Sequence, residues 1–208
     1  YVDGGVCAAK GFVANGLNAG INPDKKKNDM CLVYSQEPCS AAGVYTQNKV
    51  KGAPVIVTRE NLKKSHGIAR AILANSKNAN TCNFDGIEIA EKACQLAADQ
   101  LGIKPEEVII GSTGVIGQRL SIQPFEDYMK PLAEGMTADG NDRAAYAIMT
   151  TDTVMKQVAV EFKIGDARCR MGGMAKGSGM IHPNMATTLN FLTSDVAITP
   201  ELIQKALS

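Results

Sequence analysis

The stretch GGMAKGSGMIHPNMATTL, residues 172–189, concentrates the recognisable chemistry of this chain. It holds four glycines, one lysine, one histidine and two adjacent threonines, and it leads into an apolar segment at residues 189–192. Glycine has no Cβ and tolerates positive φ, so a glycine-rich segment lets the backbone approach another group closely. We therefore expect that this stretch binds something or is cut.

Composition limits the classes of protein to which the chain can belong. With 208 residues, 45% of them hydrophobic, it can fill the core of one large or two small domains. The 22 basic and 21 acidic residues nearly cancel, which argues against nucleic acid or an anionic membrane as a partner. No apolar run approaches the roughly 20 residues of a membrane span, and residues 1–5 do not resemble a signal peptide. We expect a soluble cytoplasmic protein.

Cysteine and histidine usage gives no sign of a metal site. The six cysteines form no C-x-x-C pair and only two histidines are present, which argues against zinc, and no metal or bound cofactor is expected. The chain is too long and too poor in cysteine for a secreted disulfide scaffold, so reduced, mostly buried thiols are expected. Both ends look truncated, because no methionine opens the chain and a helix starting at Thr199 stops early.

Residue patterns predict a mixed α/β fold. A helix is expected from a capping box at Asp85 and Glu88 to Gly102, with an apolar face that includes Ile87, Ala90 and Cys94. Alternation predicts a half-exposed antiparallel strand at 158–164. Further strands are predicted at 11–16, 30–34, 41–45, 55–58, 71–75 and 108–110, and further helices at 123–136 and 142–147. Strands interrupted by substantial helices favour a layered α/β sandwich.

Common nucleotide and hydrolase motifs do not fit the glycine stretch. Ser178 stands where a phosphate loop needs lysine, and His182 stands where a dinucleotide fingerprint needs its third glycine. Residues 111–114 do not match the nucleophile elbow, and no Ser-His-Asp set is apparent.

A threonine nucleophile remains as an alternative. A threonine hydroxyl needs a base, and an α-amino group with a pKa of about 8 can serve if the threonine begins a chain. Thr187 would become terminal if the chain were cut after Ala186. The glycine-rich turn after the strand at 108–110 could present N–H groups to an oxyanion. The residues alone favour a simpler interpretation, a glycine-rich loop that caps a strand.

Five motifs resemble those of the ornithine acetyltransferase family, also called glutamate N-acetyltransferase. They are KGSGMIHPNMAT (176–187), STGVIG (112–117), AAGVYT (41–46), NSKNAN (75–80) and MTTDT (149–153). The motifs extend in order across nearly the whole chain. Lys77 departs from the pattern, since the family usually has glycine there; we expect a harmless surface change.

The resemblance implies a precursor that cleaves itself between Ala186 and Thr187. Residues 1–186 would then belong to an α chain and 187–208 would begin a β chain, with most of β absent. It also implies an αββα sandwich similar to N-terminal-nucleophile hydrolases but differently connected. The catalytic positions by resemblance are Thr187 as nucleophile with Thr113 and Gly114 as oxyanion hole, and the substrate contacts are Thr153, Lys176 and Thr187.

The implied reaction is ping-pong transfer of an acetyl group from N-acetylornithine to glutamate, in an α2β2 heterotetramer. Lys176 suits a substrate carboxylate, although it could be an ordinary loop lysine. His182 is expected to be structural or to assist cleavage. Acetyl-coenzyme A stays open as a second acetyl donor. Two alternatives are an N-terminal-nucleophile amidase or aminopeptidase, and an inactive form that only binds ligand.

Overall fold

The computed structural model describes residues 1–177, 179 and 188–208. The strands are β1 (Phe12–Leu17), β2 (Met30–Ser40), β3 (Ile68–Asn75), β4 (Val108–Ser112), β5 (Lys156–Ile164), β6 (Ala167–Lys176) and β7 (Leu189–Ser194). The α-helices are α1 (Ala53–Lys64), α2 (Gly86–Leu101), α3 (Gln123–Glu134), α4 (Asn141–Ala147) and α5 (Pro200–Leu207). Short 3-10 helices occupy Gly5–Cys7 and Pro105–Glu107.

The strands form two sheets. The first has the order β1-β2-β3-β4, with antiparallel pairs except for β3 and β4, which run parallel and are connected through α2. Because parallel strands end at the same edge, Asn75 at the end of β3 lies beside Ser112 at the end of β4. The second sheet is antiparallel in the order β5-β6-β7, and its register pairs Lys176 with Leu189.

Two apolar cores separate the layers. Helices α1, α2 and α3 cover one face of the first sheet around Leu32, Leu73 and Phe125. The opposite face packs through Val33 and Ile72 against α4 and against the second sheet, whose main core residue is Met174. Helices α1–α3, the first sheet and the second sheet thus stack as three layers of the αββα sandwich expected from the sequence. The second sheet turns an apolar face outward, where Val158 is 51% and Leu192 58% exposed.

Most of the predicted elements are confirmed. The strands at 30–34, 71–75 and 108–110 and the helices near 85–102, 123–136 and 142–147 all form. Thr199 caps α5 by accepting a hydrogen bond from the Leu202 N–H. The strand at 158–164 is antiparallel as expected, but its buried side chain is Ala159. The six cysteines are free thiols, four of them buried.

Four local predictions were wrong, two of them strands and two of them at the start of α2. Residues 41–45 form no strand, and residues 55–58 belong to α1 rather than to a strand. The β-branched residues there are helical because tertiary packing overrides intrinsic propensity. The Thr58 hydroxyl, for example, donates to the Ile110 carbonyl and accepts from the Ile110 N–H, which ties α1 to β4.

The predicted capping box of α2 is also absent, because the Asp85 side chain accepts no hydrogen bond from the helix N-terminus. Its carboxylate instead accepts from the Arg119 guanidinium at 2.6 Å. Ile87, which was expected on the apolar face, is 46% exposed. None of the helices in the described ranges has the length and hydropathy of a membrane span.

Candidate active site

The turn at residues 75–80 packs beside the loop that follows β4. Asn75 is buried; its side-chain oxygen accepts from the Ser112 hydroxyl at 2.6 Å, and its amide donates to the Asn78 carbonyl at 2.9 Å. The Asn78 side chain in turn accepts from the Asn80 N–H at 2.8 Å. This is the self-bonded asparagine turn that the sequence predicts.

Lys77 and Gly114 meet where the turn touches the loop. Lys77 has φ +74°, a conformation that favours glycine, and its side chain is exposed. Gly114 has φ +132°, and a Cβ at that position would lie 2.2 Å from the Lys77 carbonyl carbon. The sequence predicted a harmless surface change at Lys77. The side chain is indeed exposed, but the backbone conformation favours glycine, so lysine is not an ideal residue at this position.

The N–H groups on either side of Gly114 are paired, whereas the Gly114 N–H itself is not paired within the described part of the chain. The Thr113 N–H donates to the Asn75 carbonyl and the Val115 N–H donates to the Lys77 carbonyl, each at 3.0 Å. Between them, the Gly114 N–H has no acceptor among the described residues. The loop thus holds a donor on a backbone that is fixed on both sides.

A buried lysine meets Thr113 at the junction of the two sheets. Lys176, the last residue of β6, donates from Nζ to Thr113 Oγ1 at 3.0 Å. Lys176 is 7% and Thr113 8% exposed. Since the threonine oxygen accepts from the ammonium, its own hydroxyl proton is free to donate elsewhere. Burial lowers the pKa of Lys176, the Asp152 carboxylate acts against that change, and the Lys156 ammonium adds to it.

Asp152 anchors the residue that directly follows Lys176. Its side chain is 1% exposed and accepts from the Lys156 ammonium at 2.6 Å, the Gly177 N–H at 2.9 Å and the Thr150 N–H at 3.2 Å. Burial raises the pKa of Asp152, but the hydrogen bonds from these three donors outweigh burial and bring the pKa to about 2. The group is therefore an anion at neutral pH.

Sequence reasoning did not assign Asp152. The MTTDT motif supplied only Thr153 as a site residue, although Asp152 before it accepts hydrogen bonds from three donors. A single acidic residue within a run of hydroxyl residues is the signal that could have drawn attention to it.

The structure brings together three of the predicted site residues. Thr113, Gly114 and Lys176 lie at one junction, whereas Thr153 is exposed on the loop beside Asp152. Ala186, Thr187 and His182 lie outside the described residues, so the expected cleavage point and nucleophile stay predictions. Across the described ranges, no three His, Cys, Asp or Glu side chains converge as a metal ion would require.

The AAGVYT motif lies away from this junction. It lines a cavity of about 530 Å³ together with Arg59, His66 and Pro200. His66 and Gly67 precede the first residue of β3, whereas Asn75 ends that strand. The cavity and the lysine–threonine pair therefore lie at opposite ends of β3. The AAGVYT motif at 41–46 belongs to the cavity and not to the lysine–threonine pair.

The two sheets pack face to face beneath a layer of helices, with polar groups gathered at the strand ends. This arrangement defines a layered α/β protein whose fold resembles that of N-terminal-nucleophile hydrolases. A sequence profile of the ArgJ family matches residues 13–208, and the chain belongs to that family. It is 47% identical over 203 residues to an arginine biosynthesis bifunctional protein ArgJ of Gloeobacter violaceus, covering 97% of this chain and 50% of the relative. The corresponding protein of Synechocystis is 45% identical over 208 residues, covering all of this chain and 50% of the relative.

Two solved structures are similar in fold. Arginine biosynthesis bifunctional protein ArgJ from Bacillus halodurans superposes with a TM-score of 0.80 at 36% identity, covering 88% of this chain and 94% of that chain. Ornithine acetyltransferase from Mycobacterium tuberculosis, complexed with ornithine, gives 0.79 at 39% identity, covering 86% and 94%. The chain spans about half the length of the curated relatives it matches.

Proposed function

We propose that this chain is the N-terminal part of a self-cleaving acetyltransferase that moves an acetyl group from N-acetylornithine to glutamate. The observation that carries the proposal is the contact of Lys176 Nζ with Thr113 Oγ1 at 3.0 Å, beside a Gly114 N–H that has no acceptor among the described residues. A cation, a hydroxyl and a backbone donor at one point suit an acyl-transfer site, where negative charge develops on a carbonyl oxygen. The ornithine bound to the M. tuberculosis acetyltransferase supports the substrate class.

In the first half-reaction, the Thr187 hydroxyl attacks the acetyl carbonyl of N-acetylornithine. The α-amino group of Thr187, freed by cleavage after Ala186, takes the hydroxyl proton and passes it to the departing amine of ornithine. The Thr113 hydroxyl and the Gly114 N–H stabilise the tetrahedral oxyanion. Free ornithine leaves and an acetyl ester remains on Thr187.

In the second half-reaction, glutamate enters the same site and its amine attacks the ester carbonyl. The oxyanion forms again at the same two donors, the threonine oxygen recovers its proton, and N-acetylglutamate leaves. Lys176 pairs with a carboxylate of the bound amino acid, and Thr153 contacts the substrate from the loop beside it. The two substrates share one covalent intermediate, so the kinetics are ping-pong.

The coverage of the solved structures supports two chains. This chain covers 50% of the full-length relatives but 94% of each solved chain, so the solved chains are themselves close to half-length. Division at Ala186 and Thr187 assigns residues 1–186 to α and 187–208 to the start of β. We propose that α and β assemble as an α2β2 heterotetramer in the cytoplasm, where free thiols such as those seen here persist.

Denaturing mass spectrometry of the complete protein tests self-cleavage. We expect two fragments that meet between Ala186 and Thr187, and a Thr187→Ala variant that stays whole. Thr188→Ala is the matched control and should still be cut. An intact wild type with full activity would refute the cleavage, and native mass spectrometry of the same sample measures the subunit composition.

An assay with and without glutamate separates transfer from hydrolysis. The proposal predicts that release of ornithine from N-acetylornithine requires an acceptor, whereas an amidase or aminopeptidase would release products without one. Binding of ornithine without turnover would favour an inactive, ligand-binding form. Supplying acetyl-coenzyme A with glutamate tests a second donor, and formation of N-acetylglutamate would add that activity.

Thr113→Val tests the oxyanion hole, because it removes the hydroxyl and keeps the side-chain shape. Loss of one such donor typically lowers kcat by about 10²–10³-fold. Thr113→Ser keeps the hydroxyl and should retain most of the activity. Equal activity in both variants would remove Thr113 from the mechanism.

A further inference from the structure

Asp152 combines a buried carboxylate with a position in a loop, where an aspartate would ordinarily be exposed. Its side chain is almost fully buried, yet it lies in an irregular segment between α4 and β5. It accepts from the Lys156 ammonium on one side and from the Gly177 N–H on the other. Gly177 is the residue that directly follows Lys176, so the contact fixes the backbone next to the buried lysine.

A second contact ties the same segment to the same loop. A Cβ built on Gly179 would lie 2.9 Å from the Thr151 hydroxyl, so the Gly179 backbone lies against Thr151. Gly177 and Gly179 therefore both rest on the loop at residues 150–152. This loop supports the start of the segment that leads to Ala186 and Thr187.

The charges that act on Lys176 come from the side chains of Asp152 and Lys156. Across the described residues, Asp152 is the acidic group and Lys156 the basic group whose charges act on Lys176. From the other neighbouring elements, the first sheet contributes the neutral Thr113 and β7 contributes the apolar Leu189. Lys77 on the adjoining turn is exposed.

We propose that Asp152 is a positioning residue of the acetyltransferase: its buried carboxylate holds the Gly177 backbone and keeps the Lys176 ammonium against Thr113. The proposal rests on the proposed function. Asp152 touches neither substrate nor the reacting atoms, and acts through Lys176 and through the backbone that leads to the cleavage point.

Two substitutions of opposite charge distinguish positioning from a merely structural role. Asp152→Asn keeps an oxygen that can accept from the Gly177 N–H but removes the negative charge, which should lower the pKa of Lys176. Lys156→Met removes the competing positive charge, which should raise the pKa of Lys176. Damage to the fold alone would not lower the pKa of Lys176 in one variant and raise it in the other.

The experiment measures kcat/KM for acetyl transfer against pH with the complete, self-cleaved protein. Activity requires a neutral Thr187 amine and a charged Lys176, so Lys176 sets the alkaline limb. We expect that limb to move down by about one pH unit in Asp152→Asn and up by a similar or smaller amount in Lys156→Met, with the acid limb unchanged. Lys130→Met, at an exposed lysine paired with Glu134 on α3, is the matched control and should move neither limb.

Self-cleavage gives a second readout. Asp152→Asn should slow conversion of precursor to fragments by about tenfold or more, which corresponds to at least 1.4 kcal/mol, and Lys130→Met should not. The proposal would be overturned if Asp152→Asn were cleaved at the wild-type rate and kept its alkaline limb at the wild-type pH. It would also be overturned if the alkaline limb moved in the same direction in Asp152→Asn and Lys156→Met.

A measurement without turnover separates this proposal from the proposed function. Titration of the Lys176 side chain by NMR, with ¹³C-labelled lysine and Lys176→Arg for assignment, reports its pKa directly. If the wild type shows no acetyl transfer, the proposed function fails, and the NMR shifts still test the coupling between Asp152 and Lys176. If Asp152→Asn does not fold, Lys156→Met carries the test, and an unchanged Lys176 pKa would refute the coupling.

Discussion

Thr113 and Lys176 touch, but the two sheets that carry them are stabilised differently. The first sheet is covered on both faces, by α1–α3 on one side and by α4 and the second sheet on the other. The second sheet is covered on one face, and on its outer face Val158 and Leu192 are more than half exposed. Packing therefore fixes the Thr113 side of the site more completely than the Lys176 side.

Polar contacts fix the Lys176 side instead. Lys176 is restrained by the Thr113 hydroxyl, and the backbone next to it by Asp152. A buried lysine is costly unless its charge is paired or hydrogen-bonded. One half of the site therefore depends on buried apolar area and the other on a few charged groups, so the two halves should respond differently to substitution and to pH.

The largest expected effect comes from a leucine in the first sheet. Leu73→Ala removes a fully buried side chain, and comparable substitutions cost about 2–5 kcal/mol of unfolding free energy. Leu192→Ala on the outer face of the second sheet should change it by no more than about 0.5 kcal/mol. Urea unfolding of the complete protein measures both. If Leu192→Ala lost as much unfolding free energy as Leu73→Ala, the two sheets would not differ as described. The outer face of the second sheet would then be covered by residues outside the described ranges.

Gly114→Ala should be the next most disruptive change. The added methyl group would overlap the Lys77 carbonyl, and φ +132° is unfavourable for alanine, so we expect a loss of about 3 kcal/mol. Gly117→Ala is the control, because φ is +76° but no atom lies within 4 Å, and strain alone should cost about 1 kcal/mol. Similar losses in the two variants would mean that the loop after β4 is free to move away from the turn.

Asp152→Asn should lower stability in a way that depends on pH. Hydrogen bonds to a charged group contribute about 2 kcal/mol, so the variant should be less stable by roughly that amount at pH 7. The pKa of Asp152 is lowered from 3.8 to about 2, so the carboxylate's contribution is complete above about pH 4 and disappears as the pH falls through 2. Urea unfolding from pH 7 to pH 2 should show the two proteins converging. A difference that is independent of pH would mean that the charge does not matter.

The smallest expected effect is a gain. Lys77→Gly relieves a left-handed backbone conformation, and after the extra entropy of the unfolded chain is subtracted, about 0.5–1 kcal/mol of stabilisation should remain. Lys92→Gly within α2 is the opposite control and should cost about 1 kcal/mol. A lower Tm for Lys77→Gly would show that the lysine side chain itself stabilises the turn.

Periodicity identified the long elements correctly because their apolar positions repeat with the geometry of the helix or strand. It failed at residues 55–58, where β-branched residues suggested a strand and packing of α1 against β4 produced a helix. It also did not indicate which face of β5 is buried, because the outward face carries more apolar residues than the buried one. Local pattern does not report which face of an element another layer covers.

Most of the site was predictable only by resemblance, since the residues alone indicated no more than a glycine-rich turn after β4 that could present N–H groups. The motifs named Thr113, Gly114 and Lys176, but no rule of spacing connects residue 113 with residue 176. Asp152 escaped attention because its importance lies in three contacts, two of them with backbone N–H groups that no sequence pattern displays. Thr187 and Ala186 stay predictions that rest on the motif.

Local periodicity and residue identity were sufficient to predict the layered α/β class, most of the strands and helices, and the family to which the motifs point. Three features appear only in the folded chain: the ends of β4 and β6 meet, the Gly114 N–H has no partner among the described residues, and Asp152 is a buried anion. Hydrogen bonds and burial are properties of groups that are distant in the chain and adjacent in space, and they exist only after the sheets have packed.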